Sequence, residues 1–124
     1  MPKLLVVEDE LEVMDTLKDY FSHHGVEVIT ASSGEEGLKH LSEQAPDVIL
    51  LDMKLGAGIS GLEFLRKARA AKSKAQIIVV TAVDDDNVST MAKGLGAVDY
   101  VTKPLTLKEI DRVVLSRLKL SETG

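Results

Sequence analysis

The chain has 124 residues, which is enough for one domain with a buried core. It has no cysteine, so disulfides, thiolate catalysis and cysteine-ligated metals are excluded. A net charge of −5 and 3% aromatic residues argue against a nucleic-acid-binding domain, which needs basic surface or stacking side chains. No signal-peptide pattern occurs, and no apolar run approaches the ~18 residues of a membrane span. We therefore expect a cytoplasmic protein with no nucleic-acid or membrane partner.

The first two predicted elements are a short strand and an amphipathic helix. Lys3–Val7 is apolar and predicts a strand that ends at the acidic residues 8–10. Apolar residues then recur at helical spacing, at Leu11, Met14, Leu17 and Phe21. We expect Asp9 to cap this helix, with Glu12 completing a capping box, and Gly25 to end it.

Four more strand patterns follow at regular intervals. Val26–Thr30 alternates in polarity, which indicates a strand near a sheet edge. Val48–Leu51 and Gln76–Val80 are apolar almost throughout, as in strands buried on both faces. Val98–Val101 predicts the last strand.

Capping boxes predict where the intervening helices begin. They pair Ser33 with Glu36, Ser60 with Glu63, and Thr106 with Glu109. The run Asp84–Asp86 supplies cap candidates for the fourth helix, which Gly94 and Gly96 should end.

The alternating pattern predicts the fold class α/β, with strand and helix repeated five times. Short connections favour a doubly wound, five-stranded parallel sheet with right-handed crossovers. Placing the most apolar strands centrally gives the flavodoxin-like order 2-1-3-4-5. We expect one domain over residues 1–120 and a frayed tail over 121–124.

Polar residues follow the predicted strands at the edge where their carboxyl ends meet. They are Glu8 and Asp9 after strand 1, Asp52 after strand 3, Thr81 after strand 4 and Lys103 after strand 5. Two carboxylates ~4 Å apart repel by roughly 4 kcal/mol at an effective dielectric constant of ~20, so this group must take up a proton or a cation. A site built only from oxygen ligands suits Mg²⁺, and Mn²⁺ is possible.

Each of these residues also has an ordinary structural explanation. Asp9 is a helix cap candidate, Thr81 suits a strand end and Lys103 suits an exposed surface. Their convergence on one sheet edge is what favours a functional site. The three histidines lie late in helices and are not expected to be ligands. The acidic residues after strand 1 replace a phosphate-binding glycine loop, which counts against FMN, dinucleotide and P-loop sites.

Four motifs carry a resemblance to a known family. They are VVEDE at Val6–Glu10, DVILLDM at Asp47–Met53, VVTA at Val79–Ala82 and GAVDYVTKP at Gly96–Pro104. Their order and spacing resemble the response-regulator receiver domain of bacterial two-component signalling, the family of the chemotaxis regulator. The resemblance covers about residues 2–120.

The resemblance implies roles for the acidic residues. Asp52 would be the phosphoacceptor. Asp9 and Asp52, with the backbone carbonyl of Lys54, would hold Mg²⁺, and Glu8 would contribute mainly through water. The phosphoryl donor would be a histidine kinase or a histidine phosphotransfer protein.

It also implies a switch. Lys103 would pair with a phosphoryl oxygen, Thr81 would hydrogen-bond the phosphoryl group, and Tyr100 would change rotamer in response. The face made by helix 4, strand 5 and helix 5 would change with it. The Lys103–Pro104 peptide would be cis.

The loop after Asp52 departs from the family pattern. Asp52 to Gly61 is one residue longer than the commonest spacing, and Gly56 stands where proline is usual. We expect this loop to be more mobile than in typical members.

Three functions compete at this point. The first is a phosphorylation-controlled switch that catalyses at most its own phosphorylation and dephosphorylation. The second is a Mg²⁺-dependent small-molecule phosphatase or phosphotransferase with Asp52 as nucleophile. The third is a pseudo-receiver that is never phosphorylated. The downstream partner is not predicted, and the chain would be a monomer or a phosphorylation-dependent dimer.

Overall fold

Aliphatic runs form the central strands of a parallel sheet. The computed structural model describes residues 2–56, 58–81 and 86–122. Over these residues the strands are β1 (Lys3–Val7), β2 (Glu27–Ala31), β3 (Val48–Asp52), β4 (Gln76–Thr81) and β5 (Asp99–Thr102). The helices are α1 (Leu11–Ser22), α2 (Gly34–Gln44), α3 (Gly61–Ala70), α4 (Asp86–Gly94) and α5 (Leu107–Glu122).

The strands pair in the order β2-β1-β3-β4-β5, and every pairing is parallel. This confirms the predicted α/β fold class and strand order, with the alternating strand β2 at an edge. Val6 pairs with Leu50, Asp52 with Val80, and Thr81 with Thr102. The carboxyl ends of the strands therefore share one edge of the sheet.

Side chains that alternate along the strands fill two cores, one on each face of the sheet. Leu4 and Val6 of β1 face α1 and α5, where Phe21 and Ile110 are buried. Leu5 and Val7 of β1 face the other core, which contains Phe64 of α3. Each such side chain contributes about 1.5–3 kcal/mol by burial, so the central strands are held firmly.

Three helices begin at the predicted caps. The hydroxyl oxygens of Ser33, Ser60 and Thr106 accept hydrogen bonds from backbone N–H groups three residues later, at 3.2, 3.1 and 3.3 Å. Each bond satisfies a donor that has no partner within its own helix.

The predicted cap of α1 is wrong. Glu10, not Asp9, is the N-cap residue, and its side chain makes no capping hydrogen bond. The Glu8 carboxylate instead accepts from the backbone N–H groups of Asp9 at 2.9 Å and Glu10 at 3.4 Å. Asp9 is thereby left to direct its carboxylate towards the edge of the sheet.

Glycine ends α1 and α4, as the sequence predicts. Gly25 has φ of 77°, and its N–H and that of Val26 donate to Ser22 and Phe21 at 3.3 and 3.2 Å. Gly96 has φ of 97° and makes the equivalent pair of bonds after α4. Both are left-handed turns that satisfy the last carbonyls of a helix.

Two predictions fall on residues outside this description. The cap candidates Asp84 and Asp85 precede α4 and are not among the described residues. The tail proposed at 121–124 also stays a prediction, since α5 extends to Glu122 and residues 123–124 are not described. Among the described residues, no helix combines the length and apolarity that a membrane crossing requires.

A pair of glycines tests the close packing of α2 on β1. A Cβ on Gly37 would lie 2.9 Å from both Val7 Cγ2 and Phe64 Cε2, whereas a Cβ on Gly94 would have no atom within 4 Å. We expect Gly37→Ala to lower the free energy of unfolding by about 1–3 kcal/mol through overpacking. Gly94→Ala should be neutral or should raise it by up to about 1 kcal/mol through helix propensity. Urea unfolding of both variants measures the difference, and equal effects would contradict this packing.

Candidate functional site

Three polar residues lie buried at the carboxyl edge of the sheet. Glu8 and Asp52 are 3% exposed and Thr81 is 2% exposed. Val6 pairs with Leu50 in adjacent strands. Two residues beyond that pair, Glu8 and Asp52 therefore meet on the same face. The register of β1 against β3 thus brings together two carboxylates that lie 44 positions apart in the chain.

Lys103 supplies the positive charge of the site. Its Nζ lies 3.3 Å from Asp52 Oδ2 and donates a hydrogen bond to it. Its backbone N–H donates to the Thr81 carbonyl at 2.9 Å, which continues the pairing of β4 and β5. The peptide bond between Lys103 and Pro104 is cis. Lys103 therefore reaches Asp52 from the loop that begins α5.

The other oxygen of the Asp52 carboxylate also accepts a hydrogen bond. Asp52 Oδ1 accepts from the backbone N–H of Lys54 at 3.0 Å. The backbone N–H of Met53 donates to the Val80 carbonyl at 3.0 Å, which keeps the residue after Asp52 attached to β4. The Asp52 carboxylate is consequently held on both sides.

Negative charge accumulates beside this ion pair. One carboxylate oxygen from each of Glu8, Asp9 and Asp52 lies within 4.8 Å of the others. Burial, together with a hydrogen bond and repulsion from Asp52, raises the pKa of Glu8 to about 8. The protein thus holds Glu8 protonated at neutral pH when nothing else neutralises the group.

Charge also acts on Lys103. Burial by itself lowers the pKa of its ammonium group, but the charge of Asp52 and the hydrogen bond to Asp52 outweigh burial and raise it. Glu8 and Glu10 contribute less, and Glu8 does so only at the alkaline pH at which it is ionised. Lys103 therefore stays charged and cancels part of the negative field.

The donor set fits a small divalent cation. Three carboxylates within reach of one another, with no thiolate or imidazole among them, match the ligands that Mg²⁺ takes. Burial chiefly raises the pKa of Glu8, and repulsion from Asp52 adds to the effect, so Lys103 compensates the negative charge of this cluster only in part. A cation would provide the missing positive charge.

Tyr100 lies outside this group. It is on the edge strand β5, in register with Val79, and its side chain is 39% exposed. Lys93 Nζ of α4 lies 5.0 Å from the centre of its ring, within range of a cation–π contact. Tyr100 therefore joins β5 to α4 on the surface next to the strand that ends in Thr81.

Sequence patterns did not predict the contacts of the loop after Asp52. A Cβ on Gly56 would lie 2.7 Å from Asp9 Oδ2, so this loop passes directly over the acidic group. Further along, the backbone N–H of Ile59 donates to Glu35 Oε2 of α2 at 3.1 Å. No sequence pattern marked Glu35, because a glutamate is ordinary in the first turn of a helix and Ile59 is 24 residues away.

A groove of about 350 Å³ opens beside the site, between α1 and the segment leading into α5. Glu8 and Lys103 stand at one end of it, and Val13 and Leu105 contribute apolar lining. Of the three grouped carboxylates, Glu8 is the one that lines this groove.

Comparison with known proteins bears on this arrangement. The family model described as the response regulator receiver domain matches residues 4–115. The chain is 38% identical over 120 residues to the alkaline phosphatase synthesis transcriptional regulatory protein PhoP of Bacillus subtilis, covering 97% of this chain and 50% of that protein. It therefore spans about half the length of that regulator.

Other similar proteins match along nearly their whole length. Sporulation initiation phosphotransferase F of Bacillus subtilis is 30% identical over 118 residues, covering 95% of this chain and 94% of that protein. The crystal structure of a CheY-like response regulator receiver domain protein from Methanospirillum hungatei JF-1 has a TM-score of 0.90 and 26% identity, and 99% of this chain and 98% of that one are covered.

The raised pKa of Glu8 predicts a pH-dependent stability without metal. The folded chain binds this proton more tightly than the unfolded chain. The stabilisation from Glu8 is therefore fully present below about pH 4.5 and is lost as the pH rises to about 8. In buffer with a chelator, the free energy of unfolding should fall over this range by at most about 1.4 kcal/mol per pH unit from this group.

Glu8→Gln cannot ionise and should lose this component of the pH dependence. Glu12→Gln, on an exposed part of α1, serves as the control and should retain it. Urea unfolding at several pH values makes the comparison. Parallel profiles for the wild type and Glu8→Gln would contradict the assignment.

Proposed function

The chain belongs to the response regulator receiver domain family, whose members act in phosphorylation-controlled signalling as switches and not as conventional enzymes, and we propose that Asp52 is its phosphoacceptor. One observation carries the proposal. Asp52 is a buried carboxylate at the end of β3, paired with Lys103 Nζ at 3.3 Å and grouped with two further carboxylates. This is a nucleophile beside an ammonium group, at the edge where ligands of such sheets bind.

The proposed reaction is phosphoryl transfer from a phosphohistidine. An Asp52 oxygen forms a bond to phosphorus, the nitrogen–phosphorus bond breaks, and the leaving imidazole nitrogen takes up a proton. The product is an aspartyl phosphate. Charge spreads over the phosphoryl oxygens during such a transfer, so catalysis depends on positioning and on electrostatic stabilisation. Lys103 provides that stabilisation from a position already fixed by its ion pair.

Glu8, Asp9 and Asp52 are the side chains that would hold Mg²⁺, with the Lys54 carbonyl as the further ligand that the family resemblance suggests. When bound, the metal neutralises negative charge on the transferring group. The Glu8 proton, which burial and the neighbouring Asp52 hold at neutral pH, would no longer be required. The carboxylate oxygens of Glu8, Asp9 and Asp52 lie within 4.8 Å of one another, which supports this assignment of the metal ligands.

We propose that a histidine kinase or a histidine phosphotransfer protein supplies the phosphoryl group. The groove beside Glu8 and Lys103 supports approach from the side of α1 and α5. Sporulation initiation phosphotransferase F, similar over almost its full length, is named as a phosphotransferase.

The response would travel through Thr81 and Tyr100. A new dianionic acceptor at Asp52 attracts the Thr81 hydroxyl at the end of the neighbouring strand. Its movement would free space for Tyr100 and change the surface formed by α4, β5 and α5, where Met91 and Val98 are also exposed. Switching such a surface from mostly off to mostly on takes about 5.5 kcal/mol of differential stabilisation.

Intact mass tests the acceptor. With a small phosphoryl donor and Mg²⁺, the chain should gain one phosphoryl group, and a chelator should prevent this. Asp52→Asn should abolish the adduct because it removes the nucleophile. Asp47→Asn, just before the other end of β3, is the matched control and should keep it.

The same measurement distinguishes the three competing functions. An adduct on Asp47→Asn but not on Asp52→Asn supports the switch. Continuous turnover of a phosphate ester would favour the small-molecule enzyme. Absence of both an adduct and Mg²⁺ binding would overturn the proposal in favour of a pseudo-receiver.

Lys103→Ala should separate phosphorylation from the response. The variant should fold and should still accept a phosphoryl group, but more slowly, because the ammonium group that pairs with Asp52 and stabilises the transfer is gone. We expect the phosphorylation-dependent change in the Tyr100 amide NMR shift to be lost. Lys108→Ala, exposed on α5, is the control and should behave like the wild type. A wild-type response from Lys103→Ala would refute its proposed role.

A further inference from the structure

The loop that joins Asp52 to α3 is anchored at both ends. This segment, named the acceptor loop, is described at residues 53–56 and 58–60. At its start, the Lys54 N–H donates to Asp52 Oδ1 at 3.0 Å. At its base, the Gly61 N–H donates to the Met53 carbonyl at 3.3 Å. Neither bond holds the part of the loop that lies over Asp9.

Glu35 holds the far end of the acceptor loop. Its Oε2 accepts from the Ile59 N–H at 3.1 Å, and this bond joins the first turn of α2 to a loop 24 residues away. The neighbouring Glu36 cannot replace it, because Glu36 Oε1 already accepts from the Ser32 N–H at 2.6 Å and from the Ser32 hydroxyl at 3.1 Å.

Glycines let the acceptor loop approach both carboxylates closely. Gly58 has φ of 83°, and the Glu35 carboxylate occupies the space that a Cβ there would need. Gly34 leaves room for the Ile59 side chain in the same way. At Gly56, a Cβ would come within 2.7 Å of Asp9 Oδ2. The loop is thus seated on Glu35 at one point and on Asp9 at another.

These contacts matter because the loop contains no residue that restricts its own backbone strongly. Gly56 and Gly58 both lie in this loop, and glycine is the residue whose ordering costs most. A loop of this composition needs an external contact to keep one conformation. The hydrogen bond from Ile59 to Glu35 is such a contact.

We propose that Glu35 is a positioning residue for the cation site. Its bond to Ile59 holds the far end of the acceptor loop and so keeps Gly56 in place against Asp9, one of the three carboxylates of that site. The inference rests on the proposed function, since it assumes that Glu8, Asp9 and Asp52 bind Mg²⁺. Glu35 itself is not one of the three carboxylates grouped at this site.

Three variants separate the hydrogen bond from the charge. Glu35→Ala removes both, whereas Glu35→Gln removes the charge and keeps an oxygen acceptor. Glu43→Ala, exposed on the same helix about 12 Å further along its axis, is the control for loss of one negative charge. Titration calorimetry with Mg²⁺ gives the dissociation constant, and amide hydrogen exchange at Ile59 reports the loop directly.

We expect Glu35→Ala to weaken Mg²⁺ binding by about three- to tenfold, the effect of losing one ordinary hydrogen bond, because the bond from Ile59 to Glu35 is exposed to solvent. Exchange at the Ile59 amide should accelerate in the same variant. Glu35→Gln should recover most of both effects, and Glu43→Ala should match the wild type.

Equal Mg²⁺ affinities for Glu35→Ala and Glu35→Gln would show a charge effect only and would overturn the inference. So would a wild-type affinity in Glu35→Ala, which leaves the phosphoacceptor proposal intact. If the wild-type chain bound no Mg²⁺, the cation site of the proposed function would fall as well.

Discussion

Repulsion among buried carboxylates is the constraint on which the rest of this site depends. Glu8, Asp9 and Asp52 bring oxygens within 4.8 Å of one another, and two of the three residues are almost fully buried. Two such charges repel by several kcal/mol even at an effective dielectric constant of about 20. Lys103 Nζ, 3.3 Å from Asp52 Oδ2, offsets part of this repulsion. Glu8, with its raised pKa, relieves more of it by keeping a proton at neutral pH. A cation or a phosphoryl group at this edge, as proposed, would change this balance.

The fold tolerates this repulsion because the carboxylates stand on rigid supports. Glu8 and Asp52 extend two adjacent central strands whose side chains fill cores on both faces of the sheet. Moving the carboxylates apart would require slipping β1 against β3 or exposing aliphatic side chains, and each buried side chain contributes about 1.5–3 kcal/mol. The more adjustable parts lie around this frame. Lys103 enters from the loop after β5, and the acceptor loop rests on Asp9 and Glu35.

The site was largely predictable because it is built from strand ends. The apolar run before Asp52 and the short strand before Glu8 are patterns of period and composition, and parallel pairing makes their ends coincide. The assignment of Asp9 as a helix cap failed for the opposite reason. A capping box is a local pattern that takes no account of competing acceptors, and here the Glu8 carboxylate accepts hydrogen bonds from the N–H groups of Asp9 and Glu10. Tyr100 was recognisable by its motif, but its contact with Lys93 depends on how α4 packs beside β5.

The sequence by itself determined the order of strands and helices, three of the helix caps, the glycine ends of α1 and α4, and the acidic character of one sheet edge. These features depend on periodicity and on neighbours within a few residues, so they are encoded locally. The tertiary structure alone decided the pKa of Glu8, the ion pair of Lys103 with Asp52 across 51 residues and the bond from Ile59 to Glu35. Each of these depends on a distance or on a degree of burial that only the packed sheet and helices establish. Electrostatic energies depend strongly on both distance and burial, and neither can be read from the spacing of residues along the chain.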